Sequence, residues 1–164
     1  MDLELEGKHV LITGGSRGIG LACAQEFLRE GCVVSLVGRD ANRLLQVCAS
    51  LDAEGKRAGG YAADLTGAQE SLRGNHQAEQ DRGPIHILVN AAGGARQKPF
   101  AELEPQDWRT AMDAKFFTYI NVMDPLVKRM AARSGGSVVN VVGMGGKIPI
   151  SRHLLGRGGH VAPM

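Results

Sequence analysis

A chain of 164 residues fits one domain that buries roughly 70% of the surface its extended form exposes. Hydrophobic residues at 43% and charged residues at 22% are those of an ordinary soluble globule. A formal charge of +2, with no stripe of Lys and Arg, argues against a nucleic-acid or membrane partner.

Met1-Asp2-Leu3-Glu4-Leu5-Glu6 has no basic region ahead of an apolar stretch, so no secretory signal is expected. No segment is apolar for the length of a membrane span, and the expected compartment is the cytoplasm. Lys8 to Thr13 reads as a short buried strand feeding a helix over 18–30, with Ile19, Cys23, Ala24, Phe27 and Leu28 as its apolar face and Gly31 as its C-cap. Cys32 to Val37 lacks polar alternation apart from Ser35, as a parallel strand covered on both faces should. Asp40 caps a predicted helix over 41–53, whose face is Leu44, Leu45, Cys48 and Leu51, and Gly55 ends it.

Arg57 to Ala63 is a less hydrophobic third strand, expected nearer an edge. A weaker helix starts at Thr66 or Gly67 and reaches about Gln80, with Gly74, Asn75 and His76 lowering its propensity. Ile85 to Val89 is the fourth strand. Pro105 opens a long helical stretch marked by Trp108, Met112, Phe116 and Tyr119, which Asp124-Pro125 should kink or interrupt before 126–133. Ser137 to Val142 is the fifth strand. Strand–helix pairs at this spacing predict an α/β fold, a doubly wound parallel sheet of Rossmann type in three layers. Residues 1–143 form the expected nucleotide-binding domain, and 144–164 a glycine-rich, poorly packed tail. Cys23, Cys32 and Cys48 are odd in number and lack metal-ligand spacing, so they read as buried, reduced thiols and no metal is expected.

The sharpest motif is Thr13-Gly14-Gly15-Ser16-Arg17-Gly18-Ile19-Gly20, directly behind Val10-Leu11-Ile12. Gly14 permits a tight turn, Gly18 lets backbone approach a pyrophosphate, and Gly20 allows close helix–strand packing. Free N–H groups at the helix start then receive phosphate charge. The spacing is looser than the usual dinucleotide pattern, and a glycine loop alone is weak evidence. The strand before it and the helix after it supply the context. Arg39 follows the second strand where an acid would normally hold the ribose of NAD. Gly38 gives room there, and a guanidinium suits a phosphate. Each arginine alone is more often a solvent-facing charge, but Arg17 and Arg39 flank the adenosine end together.

Thr13 to Gly20, Asp64-Leu65 and Asn90-Ala91-Ala92-Gly93 fall at successive strand ends. Over residues 5–143 their order and spacing resemble the short-chain dehydrogenase/reductase family. The resemblance implies a nicotinamide cofactor and interconversion of a carbonyl and an alcohol. It implies a binding set of Gly14, Ser16, Arg17, Gly18, Ile19, Gly20, Arg39, Asp64, Leu65, Asn90, Ala91, Ala92 and Gly93. Asp64 and Leu65 would contact adenine, Asn90 would stabilise the central sheet, and Ala91 to Gly93 would lie near the ribose. Asp64 also reads as a turn residue capping the next helix, and the two roles can coexist. Arg17 with Arg39 implies NADP rather than NAD.

The family's catalytic set is a Ser, a Tyr-x-x-x-Lys element and an Asn on the long helix. These positions fall here on Gly143, Gly156, His160 and Lys115. All four depart from the pattern, so the catalytic residues stay unassigned. Tyr61 and Tyr119 are the only tyrosines, and neither is an obvious substitute. His153 and His160 titrate near neutral pH but read better as part of an unpacked segment. Lys115 reads either as a cleft residue or as a helix-surface lysine. The resemblance reaches only the front of that fold, without its last strands. Three functions follow: an NADP(H)-dependent oxidoreductase, a catalytically silent nucleotide-binding or partner-binding module, or a fragment. The bulk of Trp108, Phe116, Phe117, Tyr119 and Met123 predicts a homo-oligomer through the 105–133 stretch, in line with what the resemblance implies.

Overall fold

Val10, Leu11 and Ile12 offer no polar face, so a strand made of them must be covered on both sides. In the computed structural model, which describes residues 3–94, 98–133, 135–143 and 155, they lie in β1 (His9–Thr13), every residue of which is buried. β1 is the middle strand of a five-stranded sheet completed by β2 (Val33–Gly38), β3 (Ala58–Ala62), β4 (Ile87–Asn90) and β5 (Ser137–Asn140). The order is β3-β2-β1-β4-β5, and every pairing is parallel. The chain winds outward from β1 to β3, then crosses back to place β4 on the other flank of β1. Thr13 is in register with both Val37 and Asn90, so three carboxyl ends finish level at that reversal. The crevice outside the carboxyl ends at such a reversal is where open α/β sheets bind ligands.

The pleat sorts the core into two halves. Val10 and Ile12 pack with Ala24, Leu28, Leu44 and Cys48, from α1 (Gly18–Arg29) and α2 (Ala41–Leu51). Leu11 points the other way, to Ala78, Val122, Leu126 and Met130 of α3 (Ala68–Arg82) and α5 (Thr118–Ala132). This is the predicted three-layer doubly wound architecture, with β3 at an edge as expected. Among the described residues β5 pairs only with β4.

Several local expectations need correction. Ile19 is 61% exposed and Leu45 71% exposed, so neither belongs to the face assigned to it. The buried row of α1 is Gly20, Ala24 and Leu28, spaced four apart, and Ile19 stands one residue, or 100°, off that row. In α2, Leu44 and Cys48 are buried, and Leu45 falls outside by the same rotation. The weak helix forms without a break because two of its low-propensity residues, Gly74 and Asn75, lie on its contact face. Ser71, Gly74, Asn75 and Ala78 are buried, and Asn75 Nδ2 donates to the Val122 carbonyl at 3.2 Å. Small side chains there allow close approach, and packing overrides propensity.

Pro125 does not interrupt the long stretch. α5 runs through it, with Val122 and Leu126 fully buried around it. The irregularity lies earlier, in a π turn at Asp113–Phe117 that joins α4 (Pro105–Met112) to α5. Pro105 does occupy the first helical turn, and the Glu104 N–H donates to Asp107 Oδ2 at 2.9 Å. The fifth strand stops at Asn140, two residues short of the predicted Val142. Cys32 and Cys48 are buried, Cys23 is partly buried, and all three are unpaired thiols. The 144–164 tail lies outside the described residues apart from Leu155, which is buried.

Candidate functional site

The crevice is built from the turns after β1 and β4. Thr13 Oγ1 accepts hydrogen bonds from the N–H groups of both Ala91 and Ala92, each at 3.1 Å. Gly14 follows with φ +68°, its N–H donating to the Val37 carbonyl at 2.8 Å. A Cβ at position 14 would lie 2.9 Å from Ala92 Cα, so the two turns touch backbone to backbone. A Cβ on Gly20 would lie 2.5 Å from the Gly14 carbonyl oxygen, which fixes the start of α1 against the strand end. Gly18 differs: its φ is +55° and a Cβ would meet nothing within 4 Å. The loop is open on that side, and no side chain caps the start of α1 behind Arg17. Unsatisfied N–H groups with the positive end of a helix dipole suit an anion. Ile19, the second residue of α1, stands exposed beside them.

On the β2 side, Arg39 is exposed just past the strand. Asp64 accepts hydrogen bonds from the Thr66 N–H at 3.0 Å and the Thr66 hydroxyl at 2.8 Å. Those bonds hold its carboxyl below the usual range against slight burial, and the positive charge of Arg39 adds to them. Asp64 therefore organises its own turn. Leu65 is a core residue, and its carbonyl accepts from Asn121 Nδ2 at 3.0 Å. Sequence reasoning overlooked Arg43. Its backbone N–H is capped by Asp40 Oδ1 at 3.0 Å, and its Nε donates to the Ser16 carbonyl at 3.2 Å. Its place in the first turn after a capping aspartate, beside Arg39, was the available signal.

On the β4 side, Asn90 is fully buried, and its Nδ2 donates to Asn140 Oδ1 at 2.9 Å. Its carbonyl accepts from the Val141 N–H at 2.8 Å, so it ties β4 to the chain after β5. Ala91 and Ala92 are partly buried, and Gly93 is exposed at φ +143°. Lys115 packs along Gly93: a Cβ there would lie 3.0 Å from its Cδ. Lys115 is partly buried, and burial lowers its affinity for a proton. Of the two readings of this lysine, the structure supports the cleft.

Neither tyrosine approaches the crevice as an acid. Tyr119 is buried, its hydroxyl donates to the Val141 carbonyl at 2.7 Å, and burial pushes its pKa up to about 12. The Tyr61 hydroxyl donates to Asp81 Oδ2 at 3.2 Å. Gly143 is exposed, and His153, Gly156 and His160 lie outside the described residues. Among the described residues no group of His, Cys, Asp and Glu is placed to hold a metal.

Known proteins share this fold. A family profile described as short chain dehydrogenase matches residues 8–154. The chain belongs to the short-chain dehydrogenase family. It is 36% identical to gluconate 5-dehydrogenase of Gluconobacter oxydans over 138 residues, which cover 84% of this chain and 54% of that one. With D-threitol dehydrogenase of Mycolicibacterium smegmatis it shares 29% over 153 residues, 93% of this chain and 59% of the relative. The fold superposes on L-sorbose reductase of Gluconobacter frateurii, solved with NADPH and L-sorbose, with a TM-score of 0.92 at 28% identity, covering 99% of this chain and 62% of that one. The chain thus spans little more than half the length of the relatives it matches. Its resemblance is to short-chain oxidoreductases acting on carbonyl and alcohol groups.

Proposed function

We propose that this chain binds NADP(H) and serves an oxidoreductase that interconverts a carbonyl and an alcohol. The observation that carries the reading is the start of α1, uncapped and open at Gly18, with Arg17 and the Arg43-anchored Ser16 beside it. Gly14, Ser16, Arg17, Gly18, Ile19 and Gly20 would hold the pyrophosphate end. Arg39, Asp64 and Leu65 would face the adenosine, and Asn90 to Gly93 the ribose on the nicotinamide side. The preference for NADP over NAD rests on cationic residues where NAD-binding chains use an acid. That L-sorbose reductase was solved with NADPH supports it. When bound, the nicotinamide supplies or accepts the hydride. The chain's own residues bind, orient and, at Thr13, fix the crevice. Calorimetric titration with NADPH and NADH tests the reading: equal affinities would end the NADP assignment.

A second reading is binding without turnover. Gly143 has no hydroxyl at the position where the family carries a serine, and both tyrosines are committed to bonds elsewhere. An NADPH-depletion assay over a carbonyl panel separates the two, background rates favouring the silent module. The oligomer proposal keeps Trp108 and Phe117, 38% and 42% exposed, and loses Tyr119, which is buried. Light scattering at tens of micromolar decides it. A cytoplasmic location is proposed from the unpaired thiols and from the absence of a membrane-spanning helix among the described residues.

A further inference from the structure

We propose that Lys115 makes the mouth of the crevice between β1 and β4 a receptor for a carboxylate, and that the substrate carries one. The inference rests on the oxidoreductase reading and names the chemical class of its substrate. Lys115 is the middle residue of the π turn Asp113–Phe117, a kind of distortion that recurs at functional sites. Its aliphatic chain is pinned along Gly93, with Cδ and Cε at 3.0 and 3.3 Å from where a Cβ would stand. Gly93 follows Ala92, and Ala92 is the residue packed against Gly14. A short run of contacts therefore leads from the phosphate loop to the side chain of Lys115.

The charge at this place has no counterpart among the described residues. Lys56, Lys98 and Lys128 each pair with a carboxylate, at 2.6, 2.7 and 2.7 Å. Lys8 is exposed to water. Lys115 alone of the described lysines is partly buried without an ion pair, and loss of hydration is what lowers its proton affinity. A cation that has given up water without gaining an anion is a costly half of a pair. One ammonium is a single point charge, which one carboxylate neutralises in full, whereas a phosphate dianion would keep a negative charge there. Phosphate is matched instead by the arginines and N–H groups at the start of α1.

The test uses the full-length chain with gluconate as the probe and glucitol as its uncharged counterpart of equal length. In the presence of saturating NADPH, calorimetry should give at least about tenfold tighter binding of gluconate. The titration of Lys115, followed by NMR on 13C-methylated lysines, should move to higher pH with gluconate and stay put with glucitol. Lys115→Met should erase the preference while leaving NADPH affinity unchanged, and Lys115→Arg should retain it. Equal affinity for the two probes, no response of Lys115 to gluconate, or weaker NADPH binding in Lys115→Met would each overturn the proposal. The NMR titration also runs without cofactor, so failure to bind NADPH would strike the oxidoreductase reading by itself.

Discussion

His9 Nε2 lies 2.7 Å from the hydroxyl of Ser35 on the neighbouring strand, and both residues are buried. Nδ1 lies 2.7 Å from the Gly83 carbonyl, which can only accept. The proton therefore sits on Nδ1, and Nε2 accepts from Ser35. Neutral imidazole satisfies every partner at once.

A stability change with pH follows. Burial pushes the pKa of His9 down, the Gly83 bond partly opposes this, and the charge of Arg82 adds to the lowering. Unfolded chains take up this proton near pH 6.5, folded chains only at lower pH. The contribution to stability is complete above about pH 6.5 and is lost as pH falls through that value toward the folded pKa. Urea melts between pH 7.5 and 5 should show the decline, and Ser35→Ala should cost about 1–3 kcal/mol by stranding Nε2. A flat profile across this window would refute the assignment.

Arg39→Ala should erase most of the preference for NADPH, a loss of roughly 1.5–3 kcal/mol or about 10- to 150-fold, with NADH binding little changed. Arg43→Ala should give a smaller loss of the same kind, because Arg43 commits its Nε–H to the Ser16 carbonyl. Titration of both variants with both cofactors checks this. An equal drop for NADH would mark Arg43 as a brace for the loop only.

Glu79 joins α3 to the end of α5. Its Oε2 lies 2.8 Å from Arg129 Nε, its Oε1 lies 3.0 Å from Arg133 Nη1, and its side chain is 13% exposed. Glu79→Gln leaves two partly buried cations short of a counter-ion and should cost about 2–4 kcal/mol by denaturant melts. Cofactor affinity of the folded fraction should not move.

Two glycine substitutions should fail for different reasons. Gly20→Ala places a methyl 2.5 Å from the Gly14 carbonyl oxygen and must push α1 off the strand end. It should cost roughly 1–3 kcal/mol in stability. Gly18→Ala has room but carries a side chain at φ +55°, a strain of about 1–2 kcal/mol. Its methyl stands on the open side of the loop, so cofactor affinity should fall further than stability. Parallel melts and titrations separate the two.

The sheet was legible because Val10-Leu11-Ile12 and Ile87 to Val89 are apolar without alternation, and Val33 to Val37 is so apart from Ser35, which points to strands covered twice. The tight turn at Gly14 and the close packing at Gly20 were legible because each is a backbone property, and backbone geometry is local. Side-chain placement was not. The true row of α1 is set by Gly20 meeting the Gly14 carbonyl, a contact across the turn that hydrophobicity cannot encode, so Ile19 was placed inside. α3 hid its contact face because small polar residues look like a weak helix until a partner helix is known. Pro125 suggested a break because its missing N–H is a local cost, whereas burial of Val122 and Leu126 is a tertiary gain. Arg43 and Lys115 matter through contacts with Ser16 and Gly93, far away in sequence.

Thr13 clamps two consecutive N–H groups with one oxygen, and this fixes the turn after β4 against the turn after β1. Moving either turn would break both bonds together, so this floor is set before any ligand arrives. A ligand that fits meets no further ordering of the floor, and its binding energy is kept for contact. A ligand that does not fit cannot be accommodated by relaxation there and must project outward, toward Gly93 and Lys115. Selection by shape at the floor and by charge at the rim are then separate, and a variant such as Thr13→Val, which keeps the strand but frees both N–H groups, would loosen the first without touching the second.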